Sequence, residues 1–199
     1  MMKQLQEILY KAGLLEVVGD TSVHIGDICF NTDDIKPGDL FVAVKGTRAD
    51  GHAFISAAVK SGAIAVVCET LPDTLAAGVT FVKVADSSVA LAIMAANYYD
   101  NPSEKLHLIG VTGTNGKTTS VTLLYRLFMN LGMPCGLLST VENRINQQVI
   151  PSTHTTPDPV RLNRLLAMMV EDGCSYCFME VSSHAVVQHR ITGLVFAGG

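Results

Sequence analysis

The sequence of 199 residues has no tryptophan and few charged side chains, which make up only 16% of it. Soluble domains usually carry about 25% charged residues, so the low fraction excludes a disordered, highly charged tail protein. Lysine and arginine number 14 against 18 aspartates and glutamates, which gives a net charge of −4. Without clusters of basic residues, the chain is not expected to bind nucleic acid, and any anion must be held locally.

Long hydrophobic runs are also missing, although 48% of the residues are hydrophobic. No run reaches the ~18–20 apolar residues that a membrane-spanning helix needs, so membrane insertion is not expected. Residues 1–12 carry three charged side chains at helical spacing, which predicts a short surface helix rather than a signal peptide. The five cysteines are scattered through apolar segments, which indicates buried thiols in a reducing cytoplasm. Cys174 and Cys177 have no second pair at ligand spacing, so we interpret them as core thiols.

Strand-like and helix-like segments alternate along the chain, which is typical of parallel βαβ units. We predict strand-like runs at 28–31, 40–45, 63–68, 80–84, 106–111, 135–139 and 176–181, with another beginning at 194–197. We predict helices at 52–61, 87–99, 117–131 and 159–171. The sharpest break is Asp100-Asn-Pro-Ser103, which places a domain boundary between residues 102 and 103.

The most informative segment is the glycine-rich stretch Gly110-Val-Thr-Gly-Thr-Asn-Gly-Lys-Thr-Thr119, between a predicted strand and a predicted helix. Backbone N–H groups in such a turn point inward, and the helix N-terminus adds the positive end of its dipole. Gly113 and Gly116 allow close approach to phosphate oxygens, Lys117 would reach the phosphates, and Thr118 would ligate Mg²⁺. The strict G-x-x-x-x-G-K-[ST] pattern is not met, because the first glycine lies one residue early. The segment predicts binding of a nucleoside triphosphate.

A glycine-rich phosphate-binding loop (P-loop) does not by itself define a reaction. Two further segments carry polar side chains that could belong to the same site. Glu180 lies at the carboxyl end of a predicted strand, where parallel sheets place ligands, and suits a second Mg²⁺ ligand. The donors that follow it could serve a ligand, or Ser182 could simply cap the next helix. The stretch Ser152-Thr-His-Thr-Thr-Pro-Asp158 has the same alternative, since Pro159 opens a helix. From the residues alone, both interpretations stay open.

Together these motifs resemble those of the Mur ligase family. The resemblance is carried by Thr112-Gly-Thr-Asn-Gly-Lys-Thr-Thr119, Thr-Thr-Pro-Asp at 155–158 and Met-Glu-Val-Ser-Ser-His at 179–184. In the first half, Pro37-Gly-Asp-Leu-Phe-Val-Ala-Val-Lys-Gly46 and Ala49-Asp-Gly-His-Ala-Phe-Ile55 are similar to that family's uridine-nucleotide domain. The resemblance runs from about residue 28 to the last residue, and the offset glycine is the family's own form.

The resemblance implies an α/β fold, with a small N-terminal α/β uridine-nucleotide domain over 1–102. Over 103–199 it implies the first part of a P-loop ATPase domain with a mostly parallel sheet. It implies an ATP- and Mg²⁺-dependent ligase that extends UDP-MurNAc-dipeptide by a diamino acid, diaminopimelate or lysine, through an acyl phosphate. It further implies a cytoplasmic bacterial enzyme of peptidoglycan synthesis that acts as a monomer.

The family's functional residues are carried over only where this sequence matches its motifs. ATP would be held by Gly113, Thr114, Asn115, Gly116, Lys117, Thr118 and Thr119, with Lys117 and Glu180 as the catalytic residues and Thr118 and Glu180 near Mg²⁺. Substrate contacts would come from Phe30, Thr32, Thr47, Arg48 and Ala49 at the uridine diphosphate end, and from His154, Thr155, Thr156, Ser182, Gln188 and Arg190 elsewhere. One departure is that Asn31-Thr32-Asp33 stands where the family usually has Asp-Ser-Arg, so Asp33 replaces a cation with an anion.

Three other functions remain as alternatives: another Mur ligase, a folylpolyglutamate-type ligase, and a nucleotide-dependent binding module without ligase activity. The Thr-Thr-Pro-Asp segment argues against the next ligase of the pathway, and the N-terminal domain argues against the folylpolyglutamate branch. Because residues 194–199 begin a strand with nothing after it, we expect a truncated ligase that is inactive alone.

Overall fold

The computed structural model describes residues 2–46, 49–152 and 155–199. The chain divides into two units, Met1–Tyr98 and Tyr99–Gly199, four residues before the boundary expected from the sequence. Asp100 and Asn101 at this division have positive φ angles of 60° and 49°, a conformation that Asn and Asp tolerate better than most residues. Among the described residues, no helix is both long and apolar enough to cross a membrane.

Over its described residues, the first unit consists of short strands and three α-helices. Its strands are β1 (Lys3–Gln4), β2 (Leu14–Val18), β3 (His24–Ile25), β4 (Ile28–Cys29), β5 (Leu40–Val42), β6 (Ala65–Cys68) and β7 (Thr80–Val84). Its helices are α1 (Leu5–Ile8), α2 (Ile55–Lys60) and α3 (Ser87–Tyr98), with 3₁₀ turns at Thr32–Asp34 and Gly51–Phe54.

Five of these strands form one sheet in the order β2-β7-β6-β5-β4, and β1 pairs with β3 separately. The pairings from β4 to β7 are parallel, whereas the edge strand β2 runs antiparallel to β7. Strands β5 and β6 consist entirely of buried apolar residues, as expected for parallel strands covered on both faces. A cluster that includes Phe41, Ile55 and Phe81 joins α2 to one face of this sheet.

The second unit carries the longer helices and a second sheet. Its strands are β8 (His107–Val111), β9 (Cys135–Leu138), β10 (Glu142–Ile145), β11 (Gln148–Pro151) and β12 (Tyr176–Glu180). Its helices are α4 (Lys117–Asn130), α5 (Pro159–Glu171) and α6 (Ser183–Val187), with a 3₁₀ turn at Pro102–Glu104.

The second sheet has the order β11-β10-β9-β12-β8 and is covered by apolar clusters on both faces. Strands β8, β12 and β9 pair in parallel, while β10 and β11 form an antiparallel hairpin beside β9. Successive strand residues point to opposite faces, so Leu137 and Phe178 pack with α4. Leu138 and Met179 pack with α5 on the other face.

The α/β class predicted from the sequence is confirmed, with parallel pairing dominant in the first sheet and half of the pairings parallel in the second. The predicted strand at 194–197 is wrong in extent, because the segment turns at Gly193 (φ 81°) and makes a bridge only between Gly198 and Ile109. The predicted N-terminal surface helix shrinks to α1, whose Leu5 and Ile8 are buried.

Strand β2 and the β10–β11 hairpin are present in the structure but are not predicted from the sequence. The strands of the hairpin mix charged and amide side chains with apolar ones, so they lack the apolar run by which the other strands of this sheet are predicted. Asn146 lies between its strands with a positive φ of 47°, which an asparagine adopts readily in a tight turn.

The interpretation of the cysteines as buried core thiols is confirmed, because all five are free and buried. Burial raises the pKa of the Cys177 thiol well above its usual value. Burial, together with the nearby carboxylate of Asp39, raises the pKa of Cys29 to about 12. These thiols therefore carry little of the thiolate form on which cysteine reactivity depends.

The packing of the second unit predicts that two leucine-to-alanine substitutions on its helices lower the free energy of unfolding by different amounts. Leu166 of α5 is fully buried in the apolar cluster that contains Leu138 and Met179. Leu127 of α4 is 52% exposed. Leu166→Ala should lower the free energy of unfolding by about 2–5 kcal/mol, because it leaves a cavity. Leu127→Ala should change it by less than about 0.5 kcal/mol. Urea unfolding followed by circular dichroism measures both, and equal losses would contradict the packing described.

Candidate functional site

The glycine-rich loop lies between the end of β8 at Val111 and the beginning of α4 at Lys117. Gly113 and Gly116 have φ angles of 141° and 80°, which only glycine adopts without strain. A Cβ added at Gly116 would meet open space, so its glycine is required by conformation rather than by crowding. The Lys117 ammonium folds back and donates a hydrogen bond to the Gly113 carbonyl oxygen at 2.7 Å.

Gly110, the glycine that is offset from the strict motif, is required for packing rather than for the conformation of the loop. It lies within β8, where a Cβ would come within 2.8 Å of the Phe196 ring and 3.3 Å of Val181. Its backbone N–H donates to the carbonyl oxygen of Gly198. Gly110 therefore makes room for the C-terminal segment rather than for a ligand.

Glu180 is the last residue of β12 and lies in register with Val111, the last residue of β8. Its carboxylate therefore lies beside the start of the glycine-rich loop, although the residue is only 1% exposed. The backbone N–H of Thr140 donates to one carboxylate oxygen at 2.8 Å, and the Thr140 hydroxyl lies 3.2 Å from the other. A buried carboxylate without such donors would be costly to keep charged.

Thr140 also lines the cavity, although the sequence motifs do not predict it as a site residue. It follows β9, so it lies at the same carboxyl edge of the parallel strands as Glu180. Its hydroxyl also lies 3.1 Å from that of Thr155, and thereby links β12 to the threonine-rich segment. The rule that ligand residues gather at this edge of a parallel sheet could have singled it out.

An open cavity of about 740 Å³ brings most of the predicted residues of the second unit together. It is lined by Thr112, Gly113, Thr114, Asn115, Gly116, Lys117, Thr118, Thr140, Thr155, Glu180, Ser182, Ser183 and His184. Three predicted site residues from outside the glycine-rich loop also line the cavity, namely Thr155, Glu180 and Ser182. Thr119, Thr156, Gln188 and Arg190 are not among its lining residues.

Several predicted substrate contacts are engaged in the protein's own structure. Thr156 is 1% exposed, and its hydroxyl donates to the backbone oxygen of Glu180 and accepts from the N–H of Ser182. Ser182 caps α6 by accepting from the Ala185 N–H, and Asp158 with Pro159 begins α5, so the capping interpretation holds for both segments. These bonds shape the turn after β12.

Arg190 is likewise held by neighbouring protein groups. Its guanidinium donates to the Thr156 carbonyl oxygen at 2.6 Å and through two nitrogens to the Gln188 side-chain oxygen. The arginine thus ties the end of α6 to the threonine-rich segment.

The remaining predicted contacts lie in the first unit, apart from His154 of the second. Phe30 is 41% exposed directly after β4, and Thr32 begins the 3₁₀ turn that Asn31 caps. Asp33, at the position where the sequence departs from the family pattern, is exposed on that turn. Ala49 is exposed, and its carbonyl oxygen accepts from the Gly46 N–H. Thr47, Arg48 and His154 lie outside the described residues.

The groups that line the cavity of the second unit are of the kinds that bind a nucleoside triphosphate with Mg²⁺. The loop leads into the N-terminus of a 14-residue helix, with one lysine beside it. Thr118 and Glu180 offer a hydroxyl and a carboxylate oxygen, and Mg²⁺ usually takes one or two such ligands and completes its shell with phosphates and water. No group of three or more His, Cys, Asp or Glu side chains in the described ranges could hold a metal by itself. The second unit is thus an α/β domain of the P-loop class.

Comparison with known proteins defines the family. Residues 24–99 match the profile described as "Mur ligase family, catalytic domain", and residues 111–199 match the "Mur ligase middle domain". The chain belongs to the Mur ligase family, as the motifs indicated.

Curated relatives extend the match over nearly the whole chain. The UDP-N-acetylmuramoyl-L-alanyl-D-glutamate--2,6-diaminopimelate ligase of Cytophaga hutchinsonii is 56% identical over 197 residues, which cover 98% of this chain and 40% of the relative. The protein of the same name from Bacteroides fragilis is 52% identical over 196 residues, again 98% of this chain and 40% of the relative. The chain therefore spans about 40% of the length of these relatives.

Solved structures agree with this assignment. A 2,6-diaminopimelate ligase structure of the same full name has a TM-score of 0.77 at 25% identity, covering 97% of this chain and 38% of that one. The crystal structure of the MurF ligase from Thermotoga maritima in complex with ADP has a TM-score of 0.53 at 26% identity, covering 79% of this chain and 32% of that one.

The contacts of Glu180 predict the effect of removing the Thr140 hydroxyl. Thr140→Val keeps the backbone donor and the side-chain shape but leaves one carboxylate oxygen without its partner. Affinity for ATP in the presence of Mg²⁺ should fall about 10-fold, the usual scale for groups that orient a metal ligand. Calorimetric titration with and without Mg²⁺ measures it, with Thr122→Val on α4 as the control. An equal loss without Mg²⁺ would show that Thr140 acts on something other than Glu180.

Proposed function

We propose that this chain supplies the uridine-nucleotide and ATP-binding parts of a ligase that forms an amide bond in bacterial peptidoglycan synthesis. The substrate would be UDP-N-acetylmuramoyl-L-alanyl-D-glutamate, and the relatives' names favour 2,6-diaminopimelate over lysine as the added amino acid. The observation that carries the proposal is the shared cavity of the glycine-rich loop, Lys117 and the buried carboxylate of Glu180.

The proposed reaction activates a carboxylate. The substrate's terminal carboxylate attacks the γ-phosphorus of ATP, so that ADP leaves and an acyl phosphate forms. The amine of the amino acid then displaces phosphate and forms the amide. Such phosphoryl transfer depends on positioning and on neutralisation of charge rather than on a covalent nucleophile.

The residues of the cavity can be given roles in this scheme. Lys117 would neutralise charge on the phosphates, for which its ammonium must exchange the Gly113 carbonyl oxygen for phosphate oxygens. Glu180 and Thr118 would hold Mg²⁺, which supplies further neutralisation when bound. Thr155, which lies beside Thr140 in the cavity lining, would orient the uridine substrate. His184 is exposed on the cavity wall, and the scheme requires no base from it.

Of the substrate contacts that the resemblance implies, some are supported more directly than others. Phe30, Thr32 and Ala49 have accessible surface for a nucleotide, whereas Thr156 and Arg190 would act by shaping the turn after β12. We place the reaction in the bacterial cytoplasm, where ATP is available, and the monomeric state stays a prediction.

Binding and phosphate release test the proposed function together. The chain should bind ATP and UDP-MurNAc-dipeptide without mutual displacement, and ATP alone should release no phosphate. Calorimetry measures binding, and a coupled phosphate assay measures release with each substrate omitted in turn. Phosphate release that is independent of the uridine substrate and the amino acid would contradict a ligase. ATP binding without uridine-nucleotide binding would favour a nucleotide-dependent binding module.

Substitution of Lys117 should remove ATP binding without changing uridine-nucleotide binding. Lys117→Ala should abolish measurable ATP binding, since no other lysine or arginine lines the described cavity. The same variant should retain the affinity of the wild type for UDP-MurNAc-dipeptide. Lys105→Ala removes an exposed lysine of the same unit outside the cavity and serves as the control. Loss of both affinities in Lys117→Ala would contradict independent sites.

A further inference from the structure

The turn that joins β9 to β10 carries the backbone donor that reaches Glu180. Residues 139–141 form this turn, since β9 ends at Leu138 and β10 begins at Glu142. In its middle, the Thr140 N–H donates to the Glu180 carboxylate at 2.8 Å. Thr140 itself is exposed and Val141 is 74% exposed, so burial of these two side chains does not fix the turn. The position of the Thr140 N–H therefore depends on how the ends of the turn are held.

Ser139, the first residue of the turn, is only 1% exposed and closes the turn with its side chain. Strand β9 pairs with β10 so that Leu138 lies opposite Asn143. Continued by one residue, the same antiparallel register would place Ser139 opposite Glu142. At this position the Ser139 hydroxyl donates to the Glu142 carbonyl oxygen at 2.7 Å and accepts from the Glu142 N–H at 3.2 Å. One hydroxyl thus bonds both backbone groups of the residue that begins β10.

The peptide group between Ser139 and Thr140 is held at both of its polar ends. Its carbonyl oxygen, which belongs to Ser139, accepts from the Ser152 hydroxyl at 2.9 Å. Its N–H, which belongs to Thr140, is the group that donates to Glu180. A trans peptide group is planar, so its carbonyl oxygen and its N–H turn together. Rotation of this peptide group would therefore break both hydrogen bonds at once.

The link across the turn runs through the backbone of Glu142 and leaves its carboxylate out. That carboxylate accepts from the Arg144 guanidinium at 2.7 and 3.1 Å, on the same strand. The Ser139 hydroxyl is therefore bonded to backbone atoms whose position is set by the sheet. Because the sheet fixes its partners, the hydroxyl can fix the turn in its own place.

We propose that Ser139 is a positioning residue, which orients the Thr140 N–H so that the Glu180 carboxylate is held in one position at the edge of the cavity. The inference deepens the proposed function and rests on it for the ligand of Glu180, which is Mg²⁺ with ATP. Ser139 is not among the residues that line the described cavity, so it acts through the turn and touches no ligand itself. It provides orientation rather than charge, as groups behind a metal ligand commonly do.

Hydrogen exchange of the ligand-free chain, followed by NMR, tests this orientation without any ligand. In Ser139→Ala, the Thr140 amide should exchange about 10-fold faster relative to its intrinsic rate, because the turn loses the bonds that close it. The amide of Phe178, which is buried in β12, should keep its wild-type exchange. Val141→Ala changes an exposed residue of the same turn and serves as the matched control. It should leave the exchange of both amides unchanged.

Calorimetric titration with ATP tests the consequence for the cavity. Ser139→Ala should weaken ATP binding in the presence of Mg²⁺ on the order of 10-fold, the usual scale for groups that orient a metal ligand. Without Mg²⁺, the affinity should stay within about twofold of the wild type, since the glycine-rich loop and Lys117 are unchanged. Ser139→Thr keeps the hydroxyl, so it should recover most of the slow exchange of Thr140 and of the Mg²⁺-dependent affinity.

The outcomes separate the role of Ser139 from the function on which it rests. Wild-type exchange of Thr140 in Ser139→Ala, equal acceleration at Phe178, or the same effect in Val141→Ala would each overturn that role. So would a loss of ATP affinity that does not depend on Mg²⁺, or no recovery in Ser139→Thr. If the wild-type chain bound no ATP, the proposed function would fall, whereas hydrogen exchange would still decide whether Ser139 orients Thr140.

Discussion

The parallel pairing of β8 with β12 is the constraint on which the second unit depends. It places Val111 and Glu180 side by side. The buried carboxylate of Glu180 therefore lies next to the point at which the glycine-rich loop begins. Pairing of β12 with β9 adds Thr140 at the same edge. Apolar side chains on both faces, held by α4 and α5, stabilise this pairing. The cavity is thus a consequence of strand register and owes little to any individual surface residue.

Both units hold their polar groups in place by the same means, hydrogen bonds from backbone N–H groups to side chains of a neighbouring strand's end. Glu180 receives the N–H of Thr140, and the His52 ring receives the N–H of Glu69. A backbone donor at the end of a strand is fixed by the sheet itself, so it orients a side chain without losing rotamer freedom of its own. Such bonds suit residues that must stay in one place while ligands come and go.

Much of this arrangement was predictable from the sequence, and the residues show why the rest was not. The loop at 112–116 and Glu180 follow from local signals, glycine spacing and a carboxylate at a strand end. Helix α5 matched its prediction from Pro159 to Glu171, because Asp158, proline and a following glycine mark its ends. Thr140 was not singled out, because its partner lies 40 residues away along the chain and pairs with it only after the sheet forms. The engagement of Arg190 by Gln188 and Thr156 is likewise invisible before folding.

Gly110 illustrates how two requirements can be mixed in one motif. The glycine that begins the recognisable pattern faces Phe196, while the glycines that shape the loop lie farther along at 113 and 116. A Cβ at Gly110 would crowd both the Phe196 ring and the Val181 side chain, so this packing limits the size of the residue at the first position. The packing of the C-terminal segment against β8 therefore places a steric constraint on Gly110 that is separate from the conformational requirement at Gly113 and Gly116.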